Sequence, residues 1–378
     1  MRSCQFARTG AVVRRARWLQ RCLIGLLCLL GLAAPVRAQT PSPTVMYKIV
    51  TASERGTYIQ IGRDLARFVA PQAGIQLVAL PSKGSADNVS RLRYDTDVKL
   101  AIVQSDVYQA FLDYAARGNA EAGDLIRPLR VVLPLYDEEI YFVVRADSPL
   151  QFVHEIRNLR INIGPLQSGT AMSASTIYRL MFNEPIPDQL VSTLTNEEAL
   201  LKLSSDKSID VVVIVAGQPA KLLADMKPEA KQLVRLLKID PDNPTTRAEL
   251  QTYVPATIRS ASYPNLLDQD VSGLAVKSYL VTYDYSYRTT IDHLTQFAQS
   301  LCQNFAVLQT EGHPKWRDVR LSLPPLAKGW TYYAPTARVL NACGNASASA
   351  PPPPTPASAP GHRACSQQEK ILGLCPAQ

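Results

Sequence analysis

Leu159-Arg160-Ile161-Asn162-Ile163, then Gly164-Pro165-Leu166-Gln167-Ser168-Gly169-Thr170, then a run from Ala171 to Phe182, is the stretch that decides the fold. Five largely apolar residues read as a strand, seven small and polar residues as a turn, and residues 171–182 as a helix. That is one βα unit, and the pattern repeats in both directions. Upstream, Tyr47–Thr51, Ile75–Leu80 and Val98–Val103 read as strands. The first is followed by Ile61, Leu65, Phe68 and Val69 at helical spacing, the second by a short helix around Val89 and Leu92 with Ser85 as its N-cap, and the third by a helix opening on Val107, Tyr108, Phe111 and Leu112. Two further strands are expected at Arg130–Leu135 and Ile140–Val144, with Asp137-Glu138-Glu139 as a solvated turn between them. Downstream, Asp210–Val215 reads as a strand and Pro219–Met226 as a helix, with Pro219 in its first turn. Alternating βα units with near-continuous apolar strands predict parallel sheet covered on both faces.

The small polar residues fall just after strands and just before helices. Thr51–Tyr58, Ser82–Asn88, Gln104–Asp106, Gly164–Thr170 and Ala216–Pro219 are all such junctions. Ligands of open α/β sheets bind at the carboxyl ends of strands, where helix N-termini offer free N–H groups to anions. Any one of these loops is explained by capping and a tight turn; five of them can line one cleft.

The first 38 residues read as an export signal. Arg2, Arg8, Arg14, Arg15, Arg17 and Arg21 precede the apolar run Cys22–Ala34, and Val36-Arg37-Ala38 offers a cleavage site. The run is shorter than the roughly 20 apolar residues a membrane span needs, so no stable membrane insertion is expected after cleavage. Arg14-Arg15 hints at a twin-arginine signal, although Arg17 stands where such signals turn apolar, and no lipobox Cys follows. The mature chain is expected to start near Gln39 in the periplasm. Those 38 residues hold 7 Arg and no acidic residue, so of the formal +8 charge almost all is in the signal, and the remainder carries 33 basic against 32 acidic residues. Nucleic acid and anionic membranes are therefore not implied as partners. About 340 residues exceed what one core usually serves, which predicts two domains.

Cys302, Cys343, Cys365 and Cys375 remain after cleavage, an even set for an oxidising compartment. Three pairings are open. Cys365 and Cys375 stand ten positions apart beyond a Pro-rich linker and are expected to pair, which leaves Cys302 with Cys343; closing a loop as short as the first stabilises by about 2 to 3 kcal/mol. His154, His293, His313 and His362 are scattered and no Cys-x-x-Cys occurs, so no metal or other cofactor is expected.

Enzyme motifs fail on inspection. Gly164-x-x-x-x-Gly169-Thr170 has the phosphate-loop glycine spacing but Thr170 where the Lys should be, and Ser168 lacks the Gly-x-Ser-x-Gly elbow. No enzymatic activity is expected.

Thr51-x-x-x-x-Gly56-Thr57-Tyr58, Lys83-Gly84-Ser85-Ala86-Asp87-Asn88, Val103-Gln104-Ser105-Asp106, the Gly164–Thr170 loop, Gly217-Gln218-Pro219 and Tyr263-Pro264 follow one another in an order that resembles the TAXI branch of TRAP-transporter solute receptors. The resemblance spans residues 46–340. It implies an α/β fold of the periplasmic binding protein type II kind, two α/β lobes joined by a two-strand hinge: lobe one at 45–142 plus 275–345, lobe two at 143–274. It also implies capture of a small organic anion, amino-acid or dicarboxylate-like, for delivery to a membrane TRAP permease subunit. Carried onto this chain, Ser53, Arg55, Gly56, Thr57, Tyr58, Ser85, Asn88, Gln104 and Ser105 would face the ligand from lobe one, and Ser168, Gly169, Thr170, Gly217 and Gln218 from lobe two. Asp106 is expected to cap its helix. Ser53-Glu54-Arg55 departs from the glycine-rich first loop of that family; Arg55 is placed to grip a carboxylate, or to pair with Glu54 and narrow the cleft. The tail, a Pro-rich linker at 346–360 and a Cys-bounded segment at 361–378, supports an alternative in which the same fold senses a ligand or scaffolds a partner.

Overall fold

The computed structural model describes residues 44–54, 56–249 and 252–349. The expected signal segment, Arg55, Cys365, Cys375 and the 361–378 segment lie outside the described residues. In chain order the elements are β1 (Val45–Val50), α1 (Thr57–Asp64), β2 (Ile75–Leu80), α2 (Ser85–Tyr94), β3 (Val98–Gln104), α3 (Val107–Ala116), α4 (Ala120–Ile126), β4 (Leu129–Arg145), β5 (Ile161–Asn162) and α5 (Gly169–Phe182). There follow β6 (Val191–Ser192), α6 (Asn196–Ser204), β7 (Val211–Ala216), α7 (Lys221–Ala224), β8 (Val234–Leu236), α8 (Pro244–Glu249), β9 (Val254–Ile258), β10 (Val271–Tyr283), α9 (Arg288–Glu311) and α10 (Ala334–Ser349).

Ten strands form one sheet, with the path β2-β1-β3-β10-β4-β7-β5-β6, β8 added on β4 and β9 on β10. β1 lies parallel to β2 and β3, and β5 parallel to β6 and β7, as βα connections require. Side chains of period two feed separate apolar clusters on the two faces. In β4, Ile140, Phe142 and Val144 enter one cluster with Ile177 and Tyr178 of α5, while Tyr141 and Val143 enter another with Ala199 and Leu203 of α6. In β1, Ile49 joins Phe297 and Trp316, while Val50 joins Val89, Val107 and Phe111. Burial on both faces is the reason these strands carry hardly any polar position. Two clusters cover the sheet's first half and two its second. The molecule is thus two α/β lobes.

β4 and β10 belong to both lobes. Where a turn was expected at Asp137-Glu138-Glu139, β4 is instead one strand of 17 residues. It runs antiparallel to the 13-residue β10, pairing Ile140 with Leu274, Glu138 with Val276 and Asp137 with Lys277. No Gly, Asn or Pro occurs between Leu135 and Val144 to break the strand, and the apolar residues on either side extend it through the acidic run. Pro134, which has no N–H to give to a ladder, sits opposite a register shift between Lys277 and Tyr279. These two neighbouring strands are the hinge expected from the resemblance.

Three smaller expectations are corrected. The strand at Leu159–Ile163 shrinks to Ile161–Asn162. Helix α7 begins at Lys221 with Ala220 as N-cap, so Pro219 lies ahead of the first turn. Helix α10 continues through residues 346–349, which were expected to open the linker. Cys302 on α9 and Cys343 on α10 form a disulfide with their Cα atoms 6.1 Å apart, as the cysteine count foretold.

Candidate functional site: the seam between the lobes

The loops at the carboxyl ends of β1, β2 and β3 are held by one buried amide. Asn88 donates through Nδ2 to the carbonyls of Thr51 (2.5 Å) and Ile102 (2.7 Å) and accepts from Ser82 Oγ (2.6 Å). Its hydrogen-bonding capacity is spent on scaffolding. Gly84, with φ 125°, is the N-cap of α2, so Ser85 is the first helical residue rather than the cap; its hydroxyl accepts from the Gln104 N–H at 3.1 Å. Ser105 donates its N–H to the Lys277 carbonyl of the hinge at 2.8 Å, and its own carbonyl accepts from Trp330 Nε1 at 2.8 Å.

Lobe two meets these loops with the start of α5. Ser168 caps that helix, its Oγ accepting from Ala171 N–H at 3.0 Å. A methyl group built on Gly84 would lie 3.0 Å from the nitrogen of Gly169, and one built on Gly169 would run into the side-chain amide of Gln104. Both glycines therefore sit at a close approach of the lobes. Across the same seam the Asp87 N–H donates to the Gln167 carbonyl (3.4 Å) and Lys83 Nζ to Gln167 Oε1 (2.9 Å).

Asp106 is the N-cap of α3 by position, but its side chain makes no capping hydrogen bond. Its Oδ2 accepts from Ser173 Oγ of α5 at 2.6 Å and from Tyr253 Oη at 2.9 Å, both on lobe two. Two turns along the same helices, Arg179 pairs with Asp113 at 2.8 Å. Helices α3 and α5 are so joined across the seam by a buried and a half-exposed carboxylate. Burial raises the Asp106 carboxyl above the usual carboxylate range, and its hydrogen bonds work against that rise.

Below the loops lies the hinge, and here Glu138 and Glu139 of the acidic run are buried. Tyr58 Oη donates to Glu138 Oε2 at 2.5 Å. Burial pushes the Glu138 carboxyl up to about 7, against the lowering effect of Tyr58 and Gln104, with the negative charge of Glu139 adding to the rise. Glu139 accepts from the Gln218 N–H at 2.7 Å and stands 3.6 Å from the ammonium of Lys315, itself only 3% exposed. Lys315 also reaches the Asp137 carbonyl (3.2 Å) and Asp318 (3.1 Å), and lies over the Tyr136 ring. Gln104 Oε1, Asp106 Oδ1 and Tyr136 Oη, all buried, have no hydrogen-bond partner among the described residues. Unpaired buried groups of this kind are rare in folded proteins and mark places where something else is received.

Of the residues expected at the ligand, Tyr58, Gln104, Ser168 and Gly169 are brought together at the seam. Ser85, Asn88 and Ser105 stand behind them as supports. Gln218 is held within the scaffold by Glu139, by the Thr257 carbonyl (3.2 Å) and by the Arg259 N–H (2.6 Å), and Gly217 packs against Lys315 and Tyr136. Ser53 is exposed, and Gly56, Thr57 and Thr170 are partly buried. Glu138, Tyr136 and Lys315 were not singled out as site residues. The signal for the first was an acidic triplet inside an otherwise apolar run; nothing local to Lys315 announces it. Among the described residues no group of His, Cys, Asp and Glu could hold a metal ion, and no helix is long and apolar enough to cross a membrane.

Residues 49–305 match the model of the NMT1-like family. The chain belongs to the NMT1-like family, a family of periplasmic binding proteins. Among solved structures it is similar to XAC2383 from Xanthomonas citri bound to chloride ion (13% identity, 80% of this chain and 98% of that one, TM-score 0.43). It is also similar to a TctC solute binding protein from Polaromonas (14%, 80% and 98%, TM-score 0.40) and to the periplasmic binding protein BugD (12%, 81% and 97%, TM-score 0.46). Likenesses of that size say nothing of what this member binds.

Proposed function

We propose that the protein is an extracytoplasmic solute receptor of the TAXI branch, exported by its N-terminal segment, that captures a small organic anion between its lobes and delivers it to a TRAP-type permease. The observation that carries this reading is the seam itself. The N-terminus of the 14-residue α5 opens against Gly84 and Gln104 of the other lobe, with unpartnered buried polar atoms beside it. A helix start offers N–H groups and a positive dipole end to a carboxylate without any fixed cation. Closure then proceeds by bending of β4 and β10, the two strands common to both lobes.

Binding to the folded, closed form alone stabilises by about 2.7 kcal/mol at a hundredfold excess over Kd. A panel of organic acids, amino acids and purine-like compounds is therefore expected to contain at least one that raises the melting temperature saturably in protein stripped of co-purified solute. A flat response across the panel rejects the receptor reading.

A further inference from the structure

The ten-stranded sheet narrows to two strands at one level, and the outer partners of both strands change there. On the outer side of β10, β3 ends with Gln104 opposite Ser278, and β9 begins with Val254 opposite Ala275. On the outer side of β4, the backbone of Val131 is taken by Thr331 and Tyr333, and the next pairing is Glu139 with Ala216 of β7. Among the described residues no strand lies against that side of β4 between those two points. The ladder between β4 and β10 is itself interrupted at the same level, where the register shifts between Lys277 and Tyr279. There the backbone of Tyr136 turns to a side chain: the Ser278 hydroxyl accepts from its N–H at 3.3 Å and donates to its carbonyl at 2.7 Å. An irregularity of this kind disrupts the ladder locally and lets a strand bend.

Lys315 braces this level from outside. Its segment is fixed to lobe one, since Trp316 is fully buried in the cluster with Ile49 and Phe297 and donates through Nε1 to Asp64, at the end of α1, at 2.8 Å. From that anchor the ammonium reaches the Asp137 carbonyl (3.2 Å) on β4, Asp318 (3.1 Å) and Glu139 (3.6 Å), the residue with which β4 joins lobe two. Its stem lies beside Gly217 of lobe two, where an added methyl group would stand 3.0 Å from Cε. An ammonium this buried is costly unless its partners stay in place, so an angle between the lobes that keeps them there is favoured over one that does not.

Resting on the receptor reading above, we propose that the lobes turn about residues 136–138 of β4 and 276–278 of β10, and that Lys315 is the positioning residue that sets the closed angle. Opening swings Glu139 and Gly217 away from the anchored ammonium, and closing returns them to it. Lys315 thereby governs how readily the cleft shuts without choosing what fills it.

Hydrogen exchange read by mass spectrometry, on the full mature chain stripped of co-purified solute and with none added, tests this. Segments 82–88 and 164–172 report the seam, where the Asp87 N–H crosses to Gln167, while Ile75–Leu80 and Asn196–Ser204 report the two lobe interiors. Lys315→Met keeps the apolar stem and removes the charge. It should raise exchange at the seam about tenfold or more, the range for a lost hydrogen bond to a charged group, with the interiors within about twofold of the unaltered protein. Ser278→Ala leaves the Tyr136 N–H and carbonyl unpaired at the closed angle and should raise seam exchange as well. Unchanged seam exchange in Lys315→Met, or a rise of equal size throughout both lobes, overturns the inference, as does a Ser278→Ala rise confined to the peptide around Tyr136. If Lys315→Met does not fold, Asp318→Asn, at a half-exposed position, loosens the same anchor: a seam rise of about threefold supports the brace and no rise overturns it. No solute enters these measurements, so their failure leaves the receptor reading standing, and that reading falls only with the melting panel.

Discussion

Replacing Glu138 by Gln should make the protein more stable at pH 8 and leave it little changed at pH 5. Glu138 is 4% exposed, and burial holds its carboxyl near 7 when folded, against 4.5 for an ordinary Glu. The native state therefore binds this proton more tightly than the unfolded chain does. Stability from it is fully present below pH 4.5 and is lost as pH rises through 7. At about 1.4 kcal/mol for each pH unit between the two values, the loss comes to about 3 kcal/mol by pH 8. A Gln side chain has the same shape, stays neutral, and can still accept the Tyr58 hydroxyl through its carbonyl oxygen. Asp106, whose carboxyl is also raised by burial, is present in both proteins and cancels in the difference, and Glu139 cancels apart from the repulsion it shares with Glu138. Urea denaturation of the two proteins at pH 5, 6, 7 and 8 reads the effect directly. The stability of the wild type should fall relative to the variant by about 3 kcal/mol across that range, or roughly 4 °C in melting temperature. Parallel curves would show that Glu138 is solvated in the working protein, and the reasoning about a desolvated hinge carboxylate would be wrong.

Replacing both Cys302 and Cys343 by Ala opens a loop with a sequence separation of 41 and should lower stability by about 4 kcal/mol, measurable by denaturation with and without reductant; an unchanged midpoint would mean that the bridge does not form in solution. Gly84→Ala places a methyl group 3.0 Å from Gly169 N and 3.1 Å from Ser168 Cα, at a φ of 125° that other residues avoid. It should cost about 1 kcal/mol or more in stability through backbone strain and, by holding the lobes apart, weaken solute binding at least about tenfold. Calorimetry separates the two effects, and full-strength binding would move the site away from this seam.

Much of the frame was legible in the chain because its signals are local. Each strand is a short apolar run, and each helix repeats its apolar positions within its own length, as with Ile61, Leu65 and Val69, all fully buried. The junctions that meet at the seam were legible for the same reason, since Ser168 and Gly169 show themselves as cap and first turn. What escaped were pairings between distant residues. An acidic run reads as solvated until its partners are known, and Tyr58 and Gln218 stand about 80 positions away from the glutamates they bind. Asp106, by position an N-cap, turns to Ser173 and Tyr253, which are 67 and 147 positions on. Lys315 is buried only because the segment after α9 folds back onto β4, and no periodicity encodes that return.

The place of β10 in the sheet bears on how the chain assembles while it is being made. In lobe one β10 lies between β3 and β4, a central slot that stays empty until residues up to Tyr283 have emerged. The strands β5, β6 and β7 pair with one another and with β4, all earlier in the chain. Lobe two can therefore gather much of its sheet while lobe one is still a split half-sheet with two exposed inner edges. Such edges invite pairing with other chains. Under the proposed export, in which the chain stays unfolded until it has crossed the membrane, a first-made lobe that cannot close by itself would act as a delay, ended by the last strand in.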